Sequence, residues 1–333
     1  MAQMVYGYGS SHSPQLSIGA PDGWRARGES DKRNRGLIGI DGQVSGYEDL
    51  LNRRNDLAQI QKEIAVDVME KRHEENQRSI QKLGESLERL NPDILIMVGD
   101  DQQEYLRDDN MPSVCIFWGD EVVVNGHPNE AGPGQGHMIG YSKTDRTVPV
   151  SSALGKHLIE YLIESDFDVA RSQWLDKKDE NRANGGIGHA FGYIYHRLMA
   201  DKAIPTVPIM LNTYYPPNQP TPKRSYELGR AIRNAVEAWP EKKRVAIIAS
   251  GGLSHFVVDE ELDNMAMDGI KNKDVVKISQ LPRERLNSGN SEIRNWILVG
   301  GATEHLDLKY MNYVPCYRSE AGTGCAMAFA EWG

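Results

Sequence analysis

Nine histidines stand in the 333-residue sequence, and three of them follow short runs of small residues. His12 comes after Gly9-Ser10-Ser11, His189 after Gly185-Gly186-Ile187-Gly188, and His255 after Ser250-Gly251-Gly252-Leu253-Ser254. Glycine lets a backbone turn tightly and come close to a ligand. An imidazole at such a turn can ligate a metal or, because its ordinary pKa lies near neutrality, act as a general acid or base. One such histidine alone would read as a turn residue capped by neighbouring hydroxyls; three point to a site. His73, His157, His196 and His305 read as helix-surface or helix-end residues. His127 and His137, in a Gly/Pro-rich stretch, are candidates for pocket lining.

Those positions depend on the elements that precede them. Met4 to Tyr8 reads as a strand leading into His12, and Asp93 to Val98 as a continuous apolar run of the kind buried in parallel sheets. Ser113 to Trp118, Asp168 to Ala170, Thr206 to Asn212, Arg244 to Ala249 and Gly324 to Glu331 are further strands. Between them, Asp56 to Leu90, Val150 to Ser165, Gly185 to Met199, Ser225 to Trp239 and Ser291 to Val299 carry helical periodicity. Residues 15–55 and 120–147 read as irregular chain. The alternation predicts one catalytic α/β domain over 1–333, a mostly parallel sheet with helices on both faces. Open sheets of that type bind ligands at the carboxyl ends of their strands, and His12, Gln102, Tyr215 and His255 each follow a strand.

Composition narrows the partners. Asp and Glu outnumber Lys and Arg by 47 to 38, a net charge of −9, with no basic run. That disfavours nucleic acid and anionic membrane surfaces. The N-terminus lacks the basic and apolar regions of a signal peptide, and the apolar runs are too short to span a bilayer. Cys115, Cys316 and Cys325 are scattered without a CxxC, which suits buried thiols in a reducing compartment; the cytoplasm is the expected location.

Several segments together carry a resemblance: Ser11-His12-Ser13-Pro14, the run from Pro92 through Gly99-Asp100-Asp101-Gln102, Gly188-His189-Ala190, and Asn212-Thr213-Tyr214-Tyr215-Pro216-Pro217. Ser250-Gly251-Gly252-Leu253-Ser254-His255 and Asn287-Ser288-Gly289, leading to Ser291-Glu292 and Trp296, complete it. Over most of its length the chain resembles the class III extradiol ring-cleaving dioxygenases, the family of the protocatechuate 4,5-dioxygenase β subunit and of gallate and 3-O-methylgallate dioxygenases. The Gly-Gly-x-Ser-His element followed by Glu-x-x-x-Trp is its most specific part.

The resemblance implies an Fe(II) site, with Mn or another divalent ion as the alternative, in which His12 and Glu292 are ligands. It makes His255 the acid/base and His189 a residue beside substrate and oxygen. Gln102 falls where the family places a second histidine ligand. Three arrangements stay open: Gln102 ligating through its amide oxygen, Asp101 or Glu104 swinging in, or a metal altered or absent. Tyr215, Arg318 and Ser319 are candidate substrate contacts, with Arg318 suited to a benzoate-type carboxylate. With Gly333 soon after the closing strand, the insertion 17–90 is the expected substitute for the family's lid, in its own or a partner subunit, or else a surface elaboration. The expected activity is extradiol cleavage of a catecholic or methoxylated aromatic acid such as 3-O-methylgallate with O2, in a homo-oligomer, a dimer. A non-oxidative metal-dependent hydrolase or lyase, and a metal-free binding protein, are the alternatives.

Overall fold

In the computed structural model residues 1–126, 142–175, 186–200 and 202–333 are described; His127 and His137 lie outside them. The central sheet has nine strands among the described residues. Its path runs His255–Val257, Thr323–Trp332, Gln3–Ser10, Arg244–Ser250, Ile94–Asp100, Thr206–Leu211, Val114–Phe117, Ala170–Ser172, with Leu308–Tyr317 hairpinned onto Thr323–Trp332. Gln3–Ser10, Arg244–Ser250, Ile94–Asp100 and Thr206–Leu211 form a parallel heart. His255–Val257 and Leu308–Tyr317 run with them, while Thr323–Trp332, Val114–Phe117 and Ala170–Ser172 run against them. The sheet is therefore mixed and mostly parallel, and the fold is α/β.

All seven residues of Ile94–Asp100 are buried because both faces are covered. Ile94, Ile96 and Val98 pack into one core, and Leu95 and Met97 into the other, as side chains that alternate across a pleat must. On the first face the helix Ile293–Ala302 is buried along its whole length between the sheet and the helix Pro222–Ala238. The two helices approach closely because Gly229 receives the Leu298 carbonyl and Gly301 the Tyr226 backbone, where a Cβ would collide. The helix Val66–Leu90 covers the second face through Met69, Ile80, Leu83 and Leu87, and it ends on Asn91 in the left-handed region just before Pro92.

The structure departs from the sequence reading in places. The segment from Asp56 to Leu90 is two helices, Leu57–Glu63 and Val66–Leu90, broken at Ile64 and Ala65. The break follows the packing: Ile60 belongs to the first core, whereas Met69 onward belongs to the second. Residues 15–55 contain helices Asp22–Asp31 and Tyr47–Arg53 and a hairpin of Leu37–Ile38 with Val44–Ser45. Glu121–Val124 pairs with Arg146–Pro149 inside the stretch read as loop. The strand Leu308–Tyr317 and the helix Glu260–Lys271 were not anticipated. No helix of the described residues is long and apolar enough to cross a membrane.

Candidate active site

The four parallel strands at the heart of the sheet deliver the site at their carboxyl ends. Gln3–Ser10 leads to His12, Ile94–Asp100 ends on Asp100 with Gln102 beyond it, Thr206–Leu211 leads to Tyr214, and Arg244–Ser250 leads to His255. Glu292 comes from the turn that opens the buried helix Ile293–Ala302. A cavity of about 230 Å³ is lined by His12, Gln102, His189, His255 and Glu292, with Tyr214, Arg27, Arg318 and Cys325 on its walls.

His12 is held in one tautomer. The Ser250 hydroxyl gives its proton to the Ala190 carbonyl at 2.5 Å, so at 3.0 Å it accepts from His12 Nδ1–H. The Nε2 lone pair then faces Glu292 Oε2 at 3.5 Å and Asp100 Oδ1 at 4.0 Å. Burial pushes the His12 pKa down to about 4, against the pull of the Glu292 charge, so the ring is neutral. Burial alone would raise the Glu292 carboxyl. The His255 ring and the Gly252 N–H, which donates to Oε2 at 2.6 Å, hold it below its ordinary value. Asp100 moves the other way, raised first by burial and then by the charge of Glu292.

Gln102 uses its amide as a bridge, donating from Nε2 to Asp100 Oδ2 at 3.1 Å and to Glu292 Oε1 at 3.3 Å. Asp101 points elsewhere and accepts from the backbone N–H groups of Tyr105 and Leu106. Glu104 accepts from both the backbone N–H and Nδ1 of His189, each at 2.9 Å. Burial disfavours a charged His189 ring, but the Glu104 hydrogen bond and charge outweigh it and raise the pKa to about 10. On His255, burial is outweighed by Glu292, 3.2 Å from Nε2, which lifts the pKa well above its ordinary value. Its Nδ1 sits 2.8 Å from the Leu253 carbonyl, so Nδ1 carries a hydrogen and Nε2 is the exchangeable end.

The donor set suits a cation. His12, Asp100 and His189 present donor atoms all within 4.8 Å of one another. Oδ1 of Asp100 is buried and accepts no hydrogen bond among the described residues, which for a native buried acceptor asks for an explanation. A metal ion would supply its partner. Asp100 escaped the sequence reading although its two-residue spacing from Gln102 was a usable signal.

Of the expected substrate contacts, Tyr215 does not line the cavity; its neighbour Tyr214 does, with its hydroxyl 3.1 Å from Glu292 Oε1 and 3.5 Å from His255 Nε2. Arg318 lines the cavity, but Asp31 grips its guanidinium at 2.7 and 2.9 Å and Gln15 Oε1 accepts a third bond at 3.0 Å. Ser319 is buried against Thr323, 2.6 Å away, and is not on the cavity wall. Arg27, from the helix Asp22–Asp31, reaches the wall from a segment that had been read as irregular.

Residues 63–316 match the family model described as the catalytic LigB subunit of aromatic ring-opening dioxygenase. Over 177 residues the chain is 29% identical to a gallate dioxygenase of Pseudomonas putida, a match covering 49% of this chain and 48% of that enzyme. The chain thus spans about half the length of that curated relative.

Proposed function

Because this chain belongs to the family of catalytic LigB subunits of aromatic ring-opening dioxygenases, we propose that it cleaves a catecholic aromatic acid with dioxygen, beside rather than between the hydroxylated carbons. The observation that carries the reading is that a neutral His12 Nε2 lone pair and the buried Glu292 carboxylate line one cavity, with the buried Asp100 Oδ1 4.0 Å from His12 Nε2. We assign the metal as Fe(II), held by His12, Glu292 and Asp100. When bound it would supply Lewis-acid and redox chemistry for a catechol and dioxygen. Asp100 takes the role considered for Gln102, because the Gln102 amide turns its donors, not its oxygen, toward both carboxylates. Asp101 and Glu104 are committed to other partners.

The chain's own groups handle the proton. His255 is anchored at Nδ1, so its Nε2 takes or returns the proton of a substrate hydroxyl. The Tyr214 hydroxyl fixes the Glu292 carboxylate from one side and the Gly252 N–H from the other. His189, with 39% of its side chain exposed and its Nδ1 tied to Glu104, offers a proton at Nε2 on the cavity wall. Phe256, Pro14 and Cys325 give the walls apolar surface that limits water around the reacting ring. A cavity of about 230 Å³ is smaller than the roughly 300–1,000 Å³ of drug-sized sites. It suits a single ring such as 3-O-methylgallate or gallate. Through Arg27, the insertion 17–90 forms part of the wall within its own chain.

The test is metal analysis of anaerobically purified protein, followed by oxygen uptake with protocatechuate, gallate and 3-O-methylgallate. Stoichiometric iron and substrate-dependent uptake are expected. His12→Ala should lose the iron, and His255→Ala should keep it while turnover drops about 10²–10⁴-fold, the usual worth of a general acid/base. Metal without oxygen uptake would indicate a non-oxidative enzyme, and absence of metal binding a binding protein.

A further inference from the structure

The cavity wall carries two arginines in very different circumstances. Arg318 has only 3% of its side chain exposed, its charge is matched by the two oxygens of Asp31, and a third donor is spent on Gln15. Asp31 is further committed to the Thr323 hydroxyl at 2.6 Å. Arg27 lies one helical turn before Asp31 on the same face of the helix Asp22–Asp31. The helix backbone beside it is held close to Arg318, because the following residue, Gly28, sits flush against the Arg318 carbonyl, where a Cβ would collide. Among the described residues its guanidinium makes neither a hydrogen bond nor a salt bridge, although it is partly buried and lines the cavity.

A half-desolvated guanidinium with five donors and no acceptor is an unfinished interaction. Burial and the nearby positive charge of Arg318 both work against its charge, and Asp31, already shared, offsets them only in part. Arg27 enters the cavity from the helix Asp22–Asp31, whereas His12 follows the strand Gln3–Ser10 and Glu292 comes from the turn before Ile293–Ala302. A ligand that spans the cavity with hydroxyls at one end would bring its other end to this arginine.

We propose that Arg27 is the residue that recognises the carboxylate of the aromatic acid, by a paired hydrogen bond from its guanidinium, while Arg318 only braces the helix that presents it. The proposal rests on the ring-cleaving reading above and adds a specificity determinant: the substrate is an anionic aromatic acid, oriented carboxylate toward the helix Asp22–Asp31 and hydroxyls toward His12, Asp100 and Glu292. Arginine suits this task because its planar fork matches a carboxylate in two bonds.

The test compares an acid with its neutral ester. Gallate and methyl gallate are titrated anaerobically into the iron-loaded wild type, Arg27→Met and Arg27→Lys by calorimetry, and KM and kcat are measured for both by oxygen uptake. Arg27→Met should weaken gallate binding and raise its KM by about ten- to a hundredfold, the worth of charge-assisted hydrogen bonds. Methyl gallate should change less than about twofold, and Arg27→Lys should recover part of the loss for gallate only. Equal losses for acid and ester, or no change for either, would overturn the assignment. An unchanged unfolding midpoint for Arg27→Lys separates recognition from folding. Should oxygen uptake be missing while calorimetry still shows the acid-selective loss, the ring-cleaving reading fails and the carboxylate site stands; uptake with an unaltered acid-to-ester ratio in Arg27→Met reverses that outcome.

Discussion

Replacing Asp31 by alanine should destabilise the protein far more than any surface ion pair would suggest. Asp31 accepts from Arg318 Nε at 2.7 Å, from Arg318 Nη2 at 2.9 Å and from the Thr323 hydroxyl at 2.6 Å. Both partners are nearly inaccessible, 3% for the Arg318 side chain and 9% for that of Asp31. Asp31→Ala would leave a guanidinium in the interior with Gln15 as its remaining acceptor and Arg27 as a like-charged neighbour. Breaking one side of such a buried pair costs about 3–5 kcal/mol, because the surviving charge keeps its desolvation penalty. Glu29 on the same helix provides the control, since its pair with Lys32 is exposed and Glu29→Ala should cost about 0–1 kcal/mol. Urea unfolding followed by far-UV circular dichroism reads the change. The double variant Asp31→Ala, Arg318→Met removes the stranded charge and should regain most of the loss. An Asp31→Ala midpoint within the range of Glu29→Ala, or a double variant no better than the single one, would refute the reasoning.

Two further perturbations address the site and its support. Tyr214→Phe removes the hydroxyl bonded to Glu292 and near His255, so kcat/KM in the oxygen-uptake assay should fall about ten- to a hundredfold. Tyr215→Phe, outside the cavity lining, should stay within about twofold, and the reverse ranking would show that the wrong tyrosine has been chosen. Asp263, buried beneath Ser254 and Tyr313, has its pKa raised from 3.8 to about 7, burial outweighing its hydrogen bonds to those hydroxyls. A raised folded-state pKa favours the folded protein below the ordinary value and loses that contribution as pH climbs through the folded one. The stability of the wild type relative to Asp263→Asn should therefore be greater at pH 5 than at pH 8 in urea titrations; a constant difference would show that Asp263 does not titrate in this window.

The parts of the fold that were legible in the sequence are those whose local pattern and tertiary role agree. Ile94–Asp100 and Arg244–Ser250 are buried on both faces and read as continuous apolar runs, so their strands could be placed without a structure. The helix Asp22–Asp31 could not be read, since only Trp24, Gly28 and Asp31 are buried along it. Its stability comes from the Trp24 indole donating to the Gln15 carbonyl and from the distant Arg318, contacts that leave no periodic trace. The break at Ile64 and Ala65 was hidden for the opposite reason: apolar spacing continues through it while the burying surface changes. Adjacent tyrosines at 214 and 215 present the same residue type to opposite environments, and spacing cannot choose between them.

The substitution that made the site hardest to read is also the one that explains its charge. With histidine expected at position 102, the sequence offered a metal centre of two imidazoles and one carboxylate. Gln102 brings no ring, and it extends its amide donors to two carboxylates that would otherwise repel each other. That repulsion is visible in Asp100, whose proton affinity is raised partly by Glu292. In the proposed site a divalent cation between them would relieve the same repulsion more completely than an amide can, and it would give Asp100 Oδ1 the partner it lacks among the described residues. Exchanging an imidazole for a carboxylate shifts the donor set toward oxygen, which favours hard divalent ions such as Fe(II) or Mn(II) over softer ones. In the site proposed above, Gln102 would align Asp100 with Glu292 rather than ligate the metal itself.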